Sequence, residues 1–197
     1  MYGDVLKEYL DDLAGKKSTP GGGSVSALVG ALGVSLMSMV AHFSEGLTEP
    51  VLDIRSRLIV LIDEDVTAFG KVMQAYKMPR ESSEQKSKRT EAVQEALKTA
   101  LSPPLNVCLL CYEAIKICKS SLATANINLI SDVGVSAVLL EGAFYSAYLN
   151  VKINLKYLKD QKIIGEVNQT LKPLAKEIVN YRQVIYQEVS KRMDEKK

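Results

Sequence analysis

The sequence predicts an all-α protein, an up-and-down bundle of six or seven helices. Three observations lead there. Apolar residues recur at three- and four-residue steps along nearly all 197 positions. Strand-like alternation and tight hairpin turns are missing throughout. Two long runs, 25–43 and 133–149, are nearly free of charge, the composition of helices enclosed on all sides.

The elements follow in order. Residues 3–14 set Val5, Leu6, Leu10 and Leu13 on one stripe. A linker from Gly15 to Gly23 offers Ser18 or Thr19 as a cap and Pro20 for a first turn. An apolar helix runs to about Phe43, and "SEGLTEP" breaks it. Residues 51–77 carry Leu58, Leu61, Ile62, Asp65, Phe69, Val72 and Met73 at helical spacing. After the polar loop "KMPRESSEQ", a surface helix spans 84–100, with Glu84 and Lys88 placed for an ion pair. Pro103 and Pro104 are expected to end it or open the next helix, which holds the cysteines to about Leu122. "ATANINLIS" reads as a polar turn, 132–158 as a second apolar helix, and 166–193 as a last amphipathic one. In that last helix Pro173 marks a first turn or a kink. With no internal repeat and no low-complexity tract, the chain reads as one helical domain, 1–197.

Charge excludes some functions. Twenty-five basic and 23 acidic residues leave +2, with no basic cluster threaded by aromatics, so a nucleic-acid groove is not expected. Cys108, Cys111 and Cys118 have only His42 as a further soft ligand. They share roughly one helix face, which suits buried thiols better than zinc. The amphipathic, acidic start "MYGDVLKEYLDDLAG" is unlike a secretory leader, so a cytoplasmic location with reduced thiols is expected.

Residues 25–43 are long enough to cross a bilayer. Against that reading, the run is mostly Ala, Gly, Ser and Val, and only Phe43 stands as an aromatic anchor. The second run holds Glu141 at its middle. Gly23, Ala27, Ala31 and Ser35, four apart, instead form a ridge that lets another helix approach closely. A soluble bundle is expected, with no membrane partner. The glycines Gly21 to Gly23 either permit a tight turn into a crowded helix or bare its first amides to a ligand. The phosphate-loop spacing GxxxxGK[ST] is absent.

Five stretches in order carry a resemblance: "TPGGGSVSALVGALGVSLMSMVAHF", "AFGKVMQAYKMP", "EALKTALSPPLNV", "NINLISDVGVSAVLLEGA" and "LNVKINLK". Together they are similar to the formiminotetrahydrofolate cyclodeaminase / methenyltetrahydrofolate cyclohydrolase family. The resemblance implies a cytoplasmic, all-helical homodimer acting on the one-carbon unit between N5 and N10 of tetrahydrofolate. It implies no metal and no cofactor beyond that substrate. One branch closes the formimino derivative with loss of ammonia; the other opens the methenyl ring with water, and is slightly favoured for a chain without a transferase half. Two departures stand out. The longer, basic GKKKY-like segment usual after the first apolar helix is absent, and His42 sits where Asn is more usual.

Both reactions need proton exchange at a tetrahedral centre and negative charge near a cationic bridge. Asp132, opening an apolar helix after "NINLIS", is the expected catalytic acid, although Asp there is also an ordinary helix-start residue. Gly21, Gly22, Gly23 and Ser24 at the helix start, with Asn128, Asn150 and Asn154, are expected to bind the pterin through amides that both donate and accept. Lys71 and Tyr76 are candidates for the glutamate tail. Glu141 needs a partner on its apolar helix, and Asp65, on the same stripe as Phe69, is the acid to watch near the middle of the chain. A Ser/His/Asp triad is excluded by the lone histidine and the missing GxSxG elbow.

Overall fold

The computed structural model describes residues 2–44 and 49–195. The expected break at "SEGLTEP" falls partly on 45–48, outside the described residues, as does the Val5 side chain. Six α-helices follow one another: α1 (Tyr2–Ala14), α2 (Gly22–His42), α3 (Glu49–Tyr76), α4 (Ser83–Ser121), α5 (Ile130–Tyr157) and α6 (Gln161–Asp194). A 3₁₀ turn, Ile127–Leu129, leads into α5. Among the described residues there is no strand.

The two nearly charge-free helices form the centre, as their composition requires. α2 packs on α3, α4 and α5, while α5 packs on α2, α4 and α6. Both are long and apolar enough to cross a membrane, yet each packs small residues, such as Gly30 of α2 and Ala143 of α5, inside the protein. A Cβ on Gly30 would stand 3.1 Å from the Cys111 sulfur and 3.3 Å from Leu58, so α3 and α4 close on α2 at that point. At Gly33 the carbonyl accepts from the Ser136 hydroxyl at 2.8 Å. Gly22 meets Asn150 and Gly33 meets Ser136 and Leu140, so α2 and α5 run antiparallel. Gly23 against Asp65 and Gly30 against Leu58 show the same for α2 and α3. The three cysteines lie fully buried in this core, as their shared face predicts.

The sequence placed a boundary at Pro103 and Pro104, and the structure corrects it: α4 passes through both. Pro104 has no N–H for the Ala100 carbonyl four residues back. Asn154 of α5 supplies the missing donor, its Nδ2 reaching Ala100 O at 2.9 Å. Both prolines are buried, so tertiary packing outweighs the local preference to stop. α4 starts in a capping box, with Ser82 accepting from the Gln85 amide and Gln85 accepting from that of Ser82. The Glu84–Lys88 pair forms as spaced, at 2.6 Å. α6 starts earlier than the expected 166, because Asp160 caps the amides of Lys162 and Ile163; Pro173 lies inside it.

α1 differs from the rest. Its Leu6, Leu10 and Leu13 are exposed rather than packed in the core. Tyr9 ties it to the bundle, with its hydroxyl 3.0 Å from that of Ser24.

Candidate functional site

The start of α2 is where main chain, acid and amide converge. Its N-cap is Gly21, with no side-chain cap, so neither Ser18 nor Thr19 plays that part. The cap comes from another helix. Asp65 of α3 accepts from the Ser24 amide, Oδ2 to N at 3.0 Å. A helix start carries unpaired N–H groups and partial positive charge, so a carboxylate is a natural occupant. Any Cβ on Gly23 would fall on that carboxylate, and so only glycine admits Asp65 to this position. Antiparallel α2–α3 packing delivers the acid, since Leu58 and Asp65, seven residues apart on one face of α3, meet Gly30 and Gly23 of α2, also seven apart.

Two further side chains frame the place. Asn150 of α5 lies over Gly22, where a Cβ would be 3.2 Å from Nδ2 and 3.3 Å from Oδ1. Its Nδ2 donates to Ser146 O at 2.9 Å, which fixes the amide plane. Ser24 is fully buried and meets Tyr9 of α1. A cleft beside Ser24, lined by Glu8, Tyr9, Asp12 and Asp63, opens to solvent. Burial pushes the Asp65 carboxyl above its ordinary value, and the Ser24 N–H opposes this in part. A partly buried carboxylate that takes up a proton more readily than an exposed one is suited to exchanging protons.

The remaining expected residues do not gather there. Asp132 sits in the first turn of α5, eighteen residues before Asn150 and therefore about 27 Å away along the helix axis. Within one chain it cannot share a ligand's reacting atoms with Gly22, and the expected pairing of the two is corrected. Asn128 belongs to the same far end, its amide donating to Asn126 Oδ1 at 3.0 Å, while the Asn126 amide donates to Ser44. Asn154 stands near the site but spends its donor on Ala100. Tyr76 keeps to the Asp65 face of α3, three turns on, beneath the Arg89 guanidinium at 5.6 Å. Lys71 points elsewhere, into a groove between α3 and α4 with Thr99 and Ser102. Glu141 has its partner in Arg182 of α6 at 2.6 Å, so it is structural. His42 is exposed at the end of α2, far from the glycines. Among the described residues no group of side chains is arranged to hold a metal ion.

Sequence reasoning underweighted Asp65 and missed Tyr9. The signal for Asp65 was its position on an apolar stripe. For Tyr9 there was none, since its partner lies in another helix.

Comparison with known proteins identifies the family. The family model described as formiminotransferase-cyclodeaminase matches residues 5–173. A methenyltetrahydrofolate cyclohydrolase of Methylorubrum extorquens is 34% identical over 97% of this chain and 98% of its own. The formimidoyltransferase-cyclodeaminase of Gallus gallus is 31% identical over 87% of this chain, which spans 34% of that longer protein. The crystal structure of a formiminotetrahydrofolate cyclodeaminase from Thermotoga maritima superposes with a TM-score of 0.77 at 31% identity, over 95% of this chain and 94% of that one. An all-helical chain with a glycine-rich central helix, matched at this length and identity, belongs to the formiminotransferase-cyclodeaminase family.

Proposed function

We propose that the protein is a tetrahydrofolate one-carbon enzyme working at the N5–C–N10 bridge, as a 5,10-methenyltetrahydrofolate cyclohydrolase, with Asp65 as its proton-exchanging group. Family membership and likeness along the whole chain support the substrate class. The cyclohydrolase branch is favoured by the 34% identity to a relative of that name, against 31% to each of the two cyclodeaminases. The observation that carries the mechanism is the Asp65 carboxylate seated on Gly23 and the Ser24 amide.

The chemistry asks for little more. The methenyl bridge is a cationic amidinium, which an adjacent carboxylate stabilises. Asp65 takes a proton from the attacking water as oxygen joins the bridging carbon. It returns that proton to N5 as the N5–C bond breaks, and the new hydroxyl loses its proton to solvent as the formyl group forms on N10. The first amides of α2 and the Asn150 amide orient the pterin. The cationic substrate gives a reason for an acid, rather than a bound anion, at this helix start. The enzyme is proposed to act as a cytoplasmic homodimer with no further cofactor, and with neither membrane nor nucleic acid as partner.

The second reading, closure of formimino-tetrahydrofolate with release of ammonia, rests on the likeness to the Thermotoga maritima cyclodeaminase. One assay separates the two. Purified protein is given methenyl-tetrahydrofolate and, separately, formimino-tetrahydrofolate while methenyl absorbance is followed. Loss in the first supports hydrolysis, gain in the second supports deamination, and silence in both refutes catalysis at the bridge.

A further inference from the structure

α1 adds nothing to the core, yet it is held against the start of α2. Among its described side chains only Tyr9 and Asp12 are partly buried, while the rest are exposed. The Tyr9 hydroxyl lies 3.0 Å from Ser24 Oγ. Ser24 has no exposed surface, and among the described residues Tyr9 is the one partner of its hydroxyl. The same residue gives its amide to Asp65 at 3.0 Å. Ser24 thus carries two donors, and each serves a different side chain.

That division matters for Asp65. Each hydrogen bond that a carboxylate accepts favours its charged form, so a second donor would make it a weaker base. Here the Ser24 amide is its one bonded donor among the described residues, and burial outweighs that bond. A serine hydroxyl is a rotor, free to turn towards whichever acceptor is offered. Without Tyr9, the buried Ser24 hydroxyl would need a new partner, and the carboxylate already held by its own amide is at hand. The other groups around Asp65 do not compete for this part. Glu8 and Asp12 of α1 and Asp63 of α3 line the cleft beside Ser24. α2 and α5 present Gly22, Gly23 and Asn150, which do not titrate. α4 faces α3 with Thr99, Ser102 and Pro103, along the groove that takes Glu64 and Lys71. The carboxylates of the cleft, once ionised, donate nothing.

We infer that Tyr9 is a positioning residue for the acid–base group: its phenol holds the Ser24 hydroxyl away from Asp65, so that the Ser24 amide alone binds the carboxylate. The inference rests on the Asp65 chemistry proposed above, and gives α1 a part in it that packing alone does not explain.

A titration tests it without any folate. Tyr9→Phe keeps the ring that docks α1 and removes only its hydroxyl, and Ser24→Ala removes the other hydroxyl of the pair. Carboxyl resonances of isotope-labelled aspartate are followed against pH in wild type, Tyr9→Phe and the double variant Tyr9→Phe/Ser24→Ala. The Asp65 signal is identified by its loss in Asp65→Asn. In Tyr9→Phe its midpoint falls by about one pH unit, the usual effect of one added hydrogen bond to a charged group. In the double variant it returns to the wild-type value, because no hydroxyl is left to donate. A midpoint unchanged or raised in Tyr9→Phe overturns the inference, and so does a double variant that stays as low as Tyr9→Phe. With methenyl-tetrahydrofolate as substrate, the acid limb of kcat/KM follows the Asp65 midpoint in all three proteins. A limb that stays in place while the resonance moves removes Tyr9 from the reaction. If wild type turns over no folate, the Asp65 chemistry falls, while the titration still decides what Tyr9 does.

Discussion

The carboxylate of Asp65 occupies the space that any side chain at Gly23 would fill, and it accepts a hydrogen bond from the Ser24 amide one residue on. A residue without a side chain and an acid 42 positions later are thus one structural unit. Gly23→Ala should displace Asp65 while leaving the rest of α2 in place. The expected cost is about 1–3 kcal/mol in stability, the usual range for overpacking. Activity should fall further, by roughly 100-fold or more, as for loss of a general acid–base group. Chemical denaturation alongside steady-state rates checks both.

The raised pKa of Asp65 makes its charge a burden on the fold. A carboxyl raised on folding contributes stability that is complete below the unfolded value of 3.8 and is lost as pH rises through the folded value. Asp65→Asn keeps an oxygen for the Ser24 amide and removes that cost. The variant should therefore melt at a higher temperature than wild type at pH 7, and the gain should vanish below about pH 4. Scanning calorimetry across this pH range tests the sign; a lower melting temperature at pH 7 contradicts it.

Rates should carry the same signature. If Asp65 must be ionised to accept a proton, kcat/KM falls on the acid side with a midpoint above 3.8. Asp65→Glu should retain an acid limb with a reduced plateau, whereas Asp65→Asn should show none.

Asn154 and Pro104 make a second linked pair. Asn154→Ala leaves the Ala100 carbonyl without a donor and should cost about 1–3 kcal/mol. Pro104→Ala restores an N–H inside α4, so Asn154→Ala should cost less in that background. A double-mutant cycle measured by urea unfolding reads this coupling, and additive costs would remove it.

The thiols offer a check on the core. Burial pushes Cys108 and Cys118 up to about 12, and Cys111 further in the same direction. No thiol should react with a disulfide reagent at pH 8 in the native state, and all three should react in denaturant.

Much of the fold was legible in the chain. The charge-free runs marked α2 and α5 as central, and the small residues of α2 marked where neighbours approach. Pro103 and Pro104 misled because the donor that rescues α4 sits on α5, 54 residues on from the bonded carbonyl. The site was half legible: Gly21 to Ser24 and Asn150 came from pattern and resemblance. Asp132 had the right local setting, but the antiparallel course of α2 and α5 carries it to the opposite end. Asp65 looked like one acid of three in "DED", and packing against Gly23 alone sets it apart from Asp63 and Glu64, which are exposed.

The most direct test of the account is the rate of methenyl-tetrahydrofolate opening by wild type and Asp65→Asn, measured with substrate affinity and melting temperature. The account predicts a fall of roughly 100-fold or more in kcat, with the fold intact and substrate still bound. An Asp65→Asn protein that opens the ring at the wild-type rate would contradict it.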